Sequence, residues 1–208
     1  VLGMIEGEIS DEVIVVGAHY DHLGKYNGIV WNGADDNASG TVGVLSIARA
    51  LQELGIKPKR TLIFAAWTAE EKGLIGSRYF VDQFGNQRKI VASLNYDMIS
   101  RNSRRDTEGR QVSLVYSNAL ENTRAINDEF NNKYNLNLEI NYSGVDRPSG
   151  GSDHSSFSRV GVPVLWYFTG MHEDYHMPSD HAEKINWDKF ARIVQLGFLN
   201  IWHLSQEE

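Results

Sequence analysis

The sequence predicts a three-layer α/β/α sandwich built on a mostly parallel, mixed central sheet, as one domain spanning residues 1–208. Short apolar runs rich in β-formers alternate with segments whose apolar residues recur at helical spacing. The strand candidates are apolar on both faces, as strands covered by helices on either side must be. No Pro/Ser-rich linker divides the 208 residues, a length that suits one large domain.

Val13–Ala18 is the first strand, an unbroken apolar run. Val44, Ile47, Ala48, Leu51 and Leu54 then recur at helical spacing, and Gly55 supplies a stop. Thr61–Trp67 is a second buried strand and Leu74–Phe84 a second helix. Ile90–Asn95 and Val112–Tyr116 are further strands, followed by a polar helix carrying Ile126, Phe130 and Tyr134. Leu138–Tyr142 and Val162–Phe168 complete the strands, and Phe190, Val194, Gly197 and Ile201 mark a long closing helix.

Composition narrows the function. Apolar residues at 41% and charged residues at 23% are those of an ordinary globular chain, which argues against disorder. Lys+Arg number 20 against 27 Asp+Glu, and the one dense basic cluster is Arg101, Arg104 and Arg105, so nucleic acid is not the expected partner. No apolar run approaches the roughly 18–20 residues that span a bilayer. Cysteine is absent, which excludes a disulfide scaffold, a thiolate nucleophile and a Cys-type zinc site. Any metal must be held by His and carboxylates. The chain starts at Val1 with no Met and no signal-peptide pattern, so it reads as a processed or trimmed piece, expected to be exported to a periplasm or secreted.

In sheets of this kind ligands bind beyond the carboxyl ends of the strands. The first strand runs into His19-Tyr20-Asp21, and the next helix opens with Gly33-Ala34-Asp35-Asp36-Asn37-Ala38-Ser39-Gly40. The following strands end in Thr68-Ala69-Glu70-Glu71 and Asn95-Tyr96-Asp97, and the last in a loop with His172 and His176. Each strong strand thus delivers a His or a carboxylate to one edge. Two imidazoles with three carboxylates form the mixed N/O set of zinc or a similar divalent ion, and one carboxylate can bridge two ions through its two oxygens. In His19-x-Asp21 the carboxylate is expected to take the imidazole's other N–H and fix the ring, provided the chain bends, since i and i+2 of a strand share a face.

These motifs resemble a known family. GAHYDH (17–22), GADDNASG (33–40), TAEEKGLIGS (68–77), NYDMI (95–99), SDHSSF (152–157) and YHMPSD (175–180) are similar, in order and over nearly the whole chain, to those of the co-catalytic di-zinc aminopeptidases. That family, peptidase family M28, is related to glutamate carboxypeptidase and the transferrin receptor. The resemblance implies a zinc-exopeptidase (phosphorylase/hydrolase-like) fold and two Zn²⁺ ions bridged by Asp35 and a water or hydroxide. His19 and Asp97 would bind one ion, and Glu71 and His176 the other. Glu70 would be the general base, Asp21 the partner of His19, and Tyr175 a contact to the reaction intermediate. Adjacent residues of a strand-end loop can point apart, which leaves Glu70 free for the proton while Glu71 binds metal.

Other features have plainer readings. His172 to His176 spells H-E-x-x-H, a zinc motif only on a helix, and here Gly170 and Pro178 flank it with no helical stripe. The residues alone leave the choice between the two imidazoles open; the family pattern selects His176 and leaves His172 in the loop. Asp36 reads as a helix N-terminal charge, and His22, His154, His181 and His203 as surface or packing residues. Asp153 and Asp180 read as loop caps, and Trp166, Phe168 and Met171 border the site. No G-x-S-x-G elbow accompanies Ser152, Ser155 or Ser156. The expected function is removal of N-terminal residues from peptides with a free N-terminus. A same-fold carboxypeptidase or dipeptidase is the alternative, with Arg147 as its carboxylate anchor, and a receptor-like binding module is the second.

Overall fold

The strand on which the sheet is built is β2 (Ile9–His19), and in it Val13, Ile14, Val15, Val16 and Ala18 are all fully buried. The computed structural model describes residues 1–84 and 87–207. On one side β2 pairs in parallel with β5 (Arg60–Trp67), and β5 pairs antiparallel with the edge strand β1 (Leu2–Ile5). On the other side it pairs in parallel with β6 (Lys89–Tyr96), which pairs in parallel with β9 (Val164–Phe168). β7 (Gln111–Ser117) runs antiparallel to β9 and parallel to the outer strand β8 (Glu139–Val145). The seven-stranded order is β1-β5-β2-β6-β9-β7-β8.

Alternation along β2 divides the core into two layers. Ile14, Val16 and Ala18 face the layer with Val44, Ile47 and Leu51 of α1 (Gly40–Leu54) and Ile193, Leu196 and Ile201 of α5 (Trp187–Gln206). The polar helix α3 (Thr123–Lys133) packs against α5, where the Asn127 and Asn200 amides pair. Val13 and Val15 face the opposite layer, with Phe80 and Val81 of α2 (Ile75–Phe84) and Phe157 of α4 (His154–Arg159). The three-layer expectation and the mixed sheet are what the structure contains. Gly55 ends α1 at φ 63°, the left-handed cap that glycine adopts without steric cost. Gly197 has a different role: a Cβ there would collide with the Tyr96 hydroxyl, so α5 can lie on β6 only with glycine at this position.

Three elements escape the pattern reading because each is shorter than a period can reveal. They are β1, α4 and the hairpin of β3 (Gly24–Tyr26) and β4 (Ile29–Trp31). Among the described residues no helix is long and apolar enough to cross a membrane.

His154 opens α4 fully buried, its ring stacked on Trp166 at 4.2 Å and 13°. Burial holds its pKa down at about 4, against an ordinary 6.5. The unfolded chain therefore takes up a proton between those values while the folded chain does not, so stability is complete above about pH 6.5 and falls as pH drops toward 4. The loss is up to roughly 3 kcal/mol. His154→Phe, which keeps the stack, is expected to flatten this acid limb in thermal melts taken from pH 7 to 4.5. An unchanged limb would show that other groups set it.

Candidate metal centre

Four neighbouring parallel strands, β5, β2, β6 and β9, end at the same edge, and the polypeptide beyond each end bends sharply. His19 is the last residue of β2. After β5, Ala69 turns at φ 56° and brings Glu70 and Glu71 forward; after β6, Asp97 is followed by Met98 at φ 57°. The segment after β9 carries His172 and His176, the latter at φ 53°, so H-E-x-x-H is a set of turns and not a helix.

The ligating atoms gather in two adjacent groups. In the first, His19 Nε2 lies 3.4 Å from Asp36 Oδ1, 3.5 Å from Asp97 Oδ1 and 4.0 Å from Glu70 Oε2. In the second, His176 Nε2 lies 3.1 Å from Asp36 Oδ2 and 3.4 Å from Glu71 Oε2. His22 Nδ1 joins that group, 3.0 Å from Glu71 Oε1 and 3.9 Å from Asp36 Oδ2. Within each of the sets His19–Glu70–Asp97 and His22–Asp36–Glu71, ligating atoms lie within 4.8 Å of one another.

The two oxygens of Asp36 thus face different imidazole–carboxylate pairs. The position between the groups, expected for Asp35, belongs to Asp36. The cause is local. The kinked helical turn Ala34–Ser39 leaves helical geometry at Asp36 (φ −105°, ψ 89°) and Asn37 (φ −136°, ψ 43°), and the two aspartates point apart. Asp35 Oδ1 accepts from Ser100 N at 2.8 Å and Ser100 Oγ at 2.7 Å, and its Oδ2 lies 3.2 Å from His172 Nε2. Asp35 and His172 therefore brace the site from behind. Asn37 joins the turn to the end of β6, donating to Tyr96 O at 2.9 Å and accepting from Met98 N at 3.3 Å.

Asp21 also differs from its expected role. His19 Nδ1 donates to the backbone oxygen of Asp21 at 3.0 Å, while the nearest carboxylate oxygen is 3.9 Å away. The carboxylate instead accepts from Glu70 N at 3.1 Å and Glu71 N at 3.3 Å, so Asp21 sets the turn that presents the glutamate pair. Tyr175 is half-buried with its ring 3.9 Å from His176 and nearly parallel to it. Burial, with the nearby carboxylates of Asp36, Glu71, Asp97 and Glu70, pushes its hydroxyl up to about 12.

The donor set fits a cation. Glu71 Oε1 and His22 Nδ1 have only each other at 3.0 Å, and His22 Nε2 is buried without a hydrogen-bond partner. Burial disfavours a charged His19, yet hydrogen bonds to Asp36 and Asp97 and the charges of Asp97 and Glu70 outweigh it and push its pKa up to about 12. Glu70 moves up to about 8, chiefly through burial and then through Asp97, Asp153 and Glu71, with His19 opposing. Positive charge is what this cluster lacks, and His/carboxylate donors suit zinc.

The description of Peptidase family M28 matches residues 1–199. The chain belongs to this family. Among its M28 relatives, a glutamate carboxypeptidase 2 homolog of Caenorhabditis elegans is 33% identical over 79% of this chain and 23% of its own length. Aminopeptidase Y of Saccharomyces cerevisiae is 28% identical over 89% of this chain and 35% of its own. The solved structure of BSAP, a zinc aminopeptidase from Bacillus subtilis, superposes with a TM-score of 0.80 at 21% identity, over 99% of this chain and 50% of that one. The chain spans about a third or less of the length of these two curated relatives.

Of the residues singled out in the sequence, the structure brings His19, Glu70, Glu71, Asp97 and His176 together, with Asp21 and Tyr175 alongside. It adds Asp36 and His22. The signal for His22 was its place in GAHYDH, three residues after His19 on a chain that must turn there. We expect Asp36→Asn to bind no more than one equivalent of zinc after metal exchange, and Asp35→Asn to keep two while losing thermal stability. Metal analysis and melting curves on the two proteins check this; the reverse pattern would return the shared position to Asp35.

Proposed function

We propose that this M28 chain is the catalytic domain of a di-zinc aminopeptidase. The observation that carries the reading is the division of the Asp36 carboxylate, one oxygen toward His19 and Asp97 and the other toward His176 and Glu71. Those residues would hold two Zn²⁺, with Asp36 shared and His22 beside Glu71. Bound there, the ions supply Lewis acidity that polarises the scissile carbonyl and acidifies the attacking water.

Glu70 is the side chain left for proton transfer. It stands farther from His19 than Asp36 or Asp97 does, at 4.0 Å, and its backbone N–H is fixed by Asp21. Burial raises its pKa, and cations bound beside it would lower it again, leaving a carboxylate that can capture a proton from water and release it to the leaving amine. Water gives its proton to Glu70, its oxygen bonds to the carbonyl carbon, and the C–N bond breaks as Glu70 returns that proton to nitrogen. We expect Glu70→Gln to keep its metal content and lose about 100- to 10,000-fold in kcat, measured on an aminoacyl-nitroanilide. A Glu70→Gln protein that loses metal would make Glu70 a ligand.

Charge supports cleavage at the N-terminal end. Asp36, Glu70, Glu71, Asp97 and Asp21 outnumber the four positive charges of two Zn²⁺, and the anionic surplus favours a substrate ammonium over a carboxylate. Of the cations considered for a carboxypeptidase, Arg101 is buried and paired with Asp174, and Arg147 is exposed. The test is a time course on four matched peptides, free or blocked at each end. Acetylation of the N-terminus is expected to abolish cleavage of the first bond, and C-terminal amidation to change little. Cleavage that survives acetylation and stops on amidation would overturn the aminopeptidase reading and favour the carboxypeptidase one.

A further inference from the structure

Asp180 stands outside both ligand groups, yet it is fully buried against the turn that aims Asp36. Its Oδ2 accepts from Asp35 N at 2.9 Å and Asp36 N at 3.2 Å, and its backbone oxygen accepts from Ala34 N at 3.2 Å. Its Oδ1 lies 3.7 Å from Arg101 Nη1, and neither of those atoms has a hydrogen-bond partner. Arg101 is itself buried and held at both ends. Its Nη2 donates to Asp174 Oδ2 at 2.8 Å, and its backbone oxygen accepts from Lys189 Nζ at 2.9 Å. Lys189 is fully buried and paired with Asp106 at 2.7 Å, which anchors the arginine to α5.

The partners of this network lie on two stretches of chain some 140 residues apart, 32–36 and 172–180. Asn32 Nδ2 donates to Pro178 O at 2.6 Å, and His172 Nε2 reaches Asp35 Oδ2. One stretch carries Asp36 and the other carries His176. Of the remaining ligands, His19 and Asp97 stand at the ends of β2 and β6 and depend on the sheet, and Glu71 stands in the turn beyond β5 that Asp21 holds.

We propose that Asp180, backed by Arg101, is a positioning residue that locks the Asp35–Asp36 turn to the 172–180 segment, so that Asp36 Oδ2 and His176 meet a single cation together. The proposal rests on the two-cation reading of the centre. A carboxylate suits this place because two N–H groups and a guanidinium all point donors at it. An asparagine would turn its own N–H₂ toward one of them and leave Asp174 as the one carboxylate facing Arg101. Without the lock, the cation held by His19 and Asp97 loses the aim of Asp36 Oδ1 alone, whereas the cation held by Glu71 and His176 loses Asp36 Oδ2 and the placement of His176 together, since Asp180 fixes both stretches.

The experiment titrates metal-free wild-type and Asp180→Asn proteins with Co²⁺, following heat and the visible d–d absorption of each equivalent. Wild type is expected to take two equivalents. Asp180→Asn is expected to bind the first within about threefold of wild type and the second about 10- to 100-fold more weakly, with an altered spectrum for the second equivalent only. Arg101→Lys keeps the charge but cannot span Asp174 and Asp180 together. It is expected to weaken the same step, and it carries the test if Asp180→Asn fails to fold. An unchanged second constant, or equal weakening of both, would overturn the proposal, since a merely structural role lowers stability without separating the two steps. A wild-type protein that takes only one equivalent would overturn the two-cation reading itself, and this proposal with it.

Discussion

Asp36, Glu70, Glu71 and Asp97 converge on one edge of a sheet where little water reaches them, and at low dielectric their mutual repulsion is large. Sheet pairing alone cannot offset that. The structure counters it with imidazoles on both sides of Asp36, with backbone N–H groups aimed at Asp21, Asp35 and Asp180, and with a buried guanidinium behind the turn. A divalent cation in each group would supply the remaining positive charge. The polar scaffold around the centre is thus arranged for an occupied site.

The centre is assembled from two kinds of support. His19 ends β2 and Asp97 directly follows β6, strands fixed by the core layers, so their backbone positions are as rigid as the sheet, while Glu71 stands in the turn that Asp21 fixes just beyond β5. Asp36 and His176 come from irregular chain and depend on hydrogen bonds, many of them to buried charged groups. Removing one partner from such a buried set leaves the other uncompensated, which costs far more than the loss of an exposed pair. The supports behind the site are therefore about as sensitive to substitution as the ligands.

How much of this was legible in the sequence follows from the same division. Strands long enough to show an apolar run are legible to within a few residues, and the central ones end beside a candidate ligand, as with His19 and Asp97. The adjacent pair Asp35-Asp36 was not resolvable, because helix-start reasoning assumes regular geometry and the chain leaves it at Asp36. The partners of His22 and Asp180 are Glu71 and two backbone N–H groups about 50 and 145 residues away, so the place of His22 in GAHYDH hints at the site without naming its partner, and Asp180 has no local signal. The bend after β2 turns the Asp21 carboxylate to the backbone of the glutamate pair and away from the imidazole, which the His19-x-Asp21 spacing cannot show.

The hairpin of β3 and β4 has both its feet in the centre, His22 before it and Asp36 after it. Between those feet Tyr26, Ile29 and Val30 are largely exposed and packed into neither core layer. Such a segment can grow, shrink or change its apolar tip over generations without moving a ligand, since the feet are fixed by contacts of their own. Evolutionary tinkering with what approaches the reactive edge is thereby separated from the chemistry performed there.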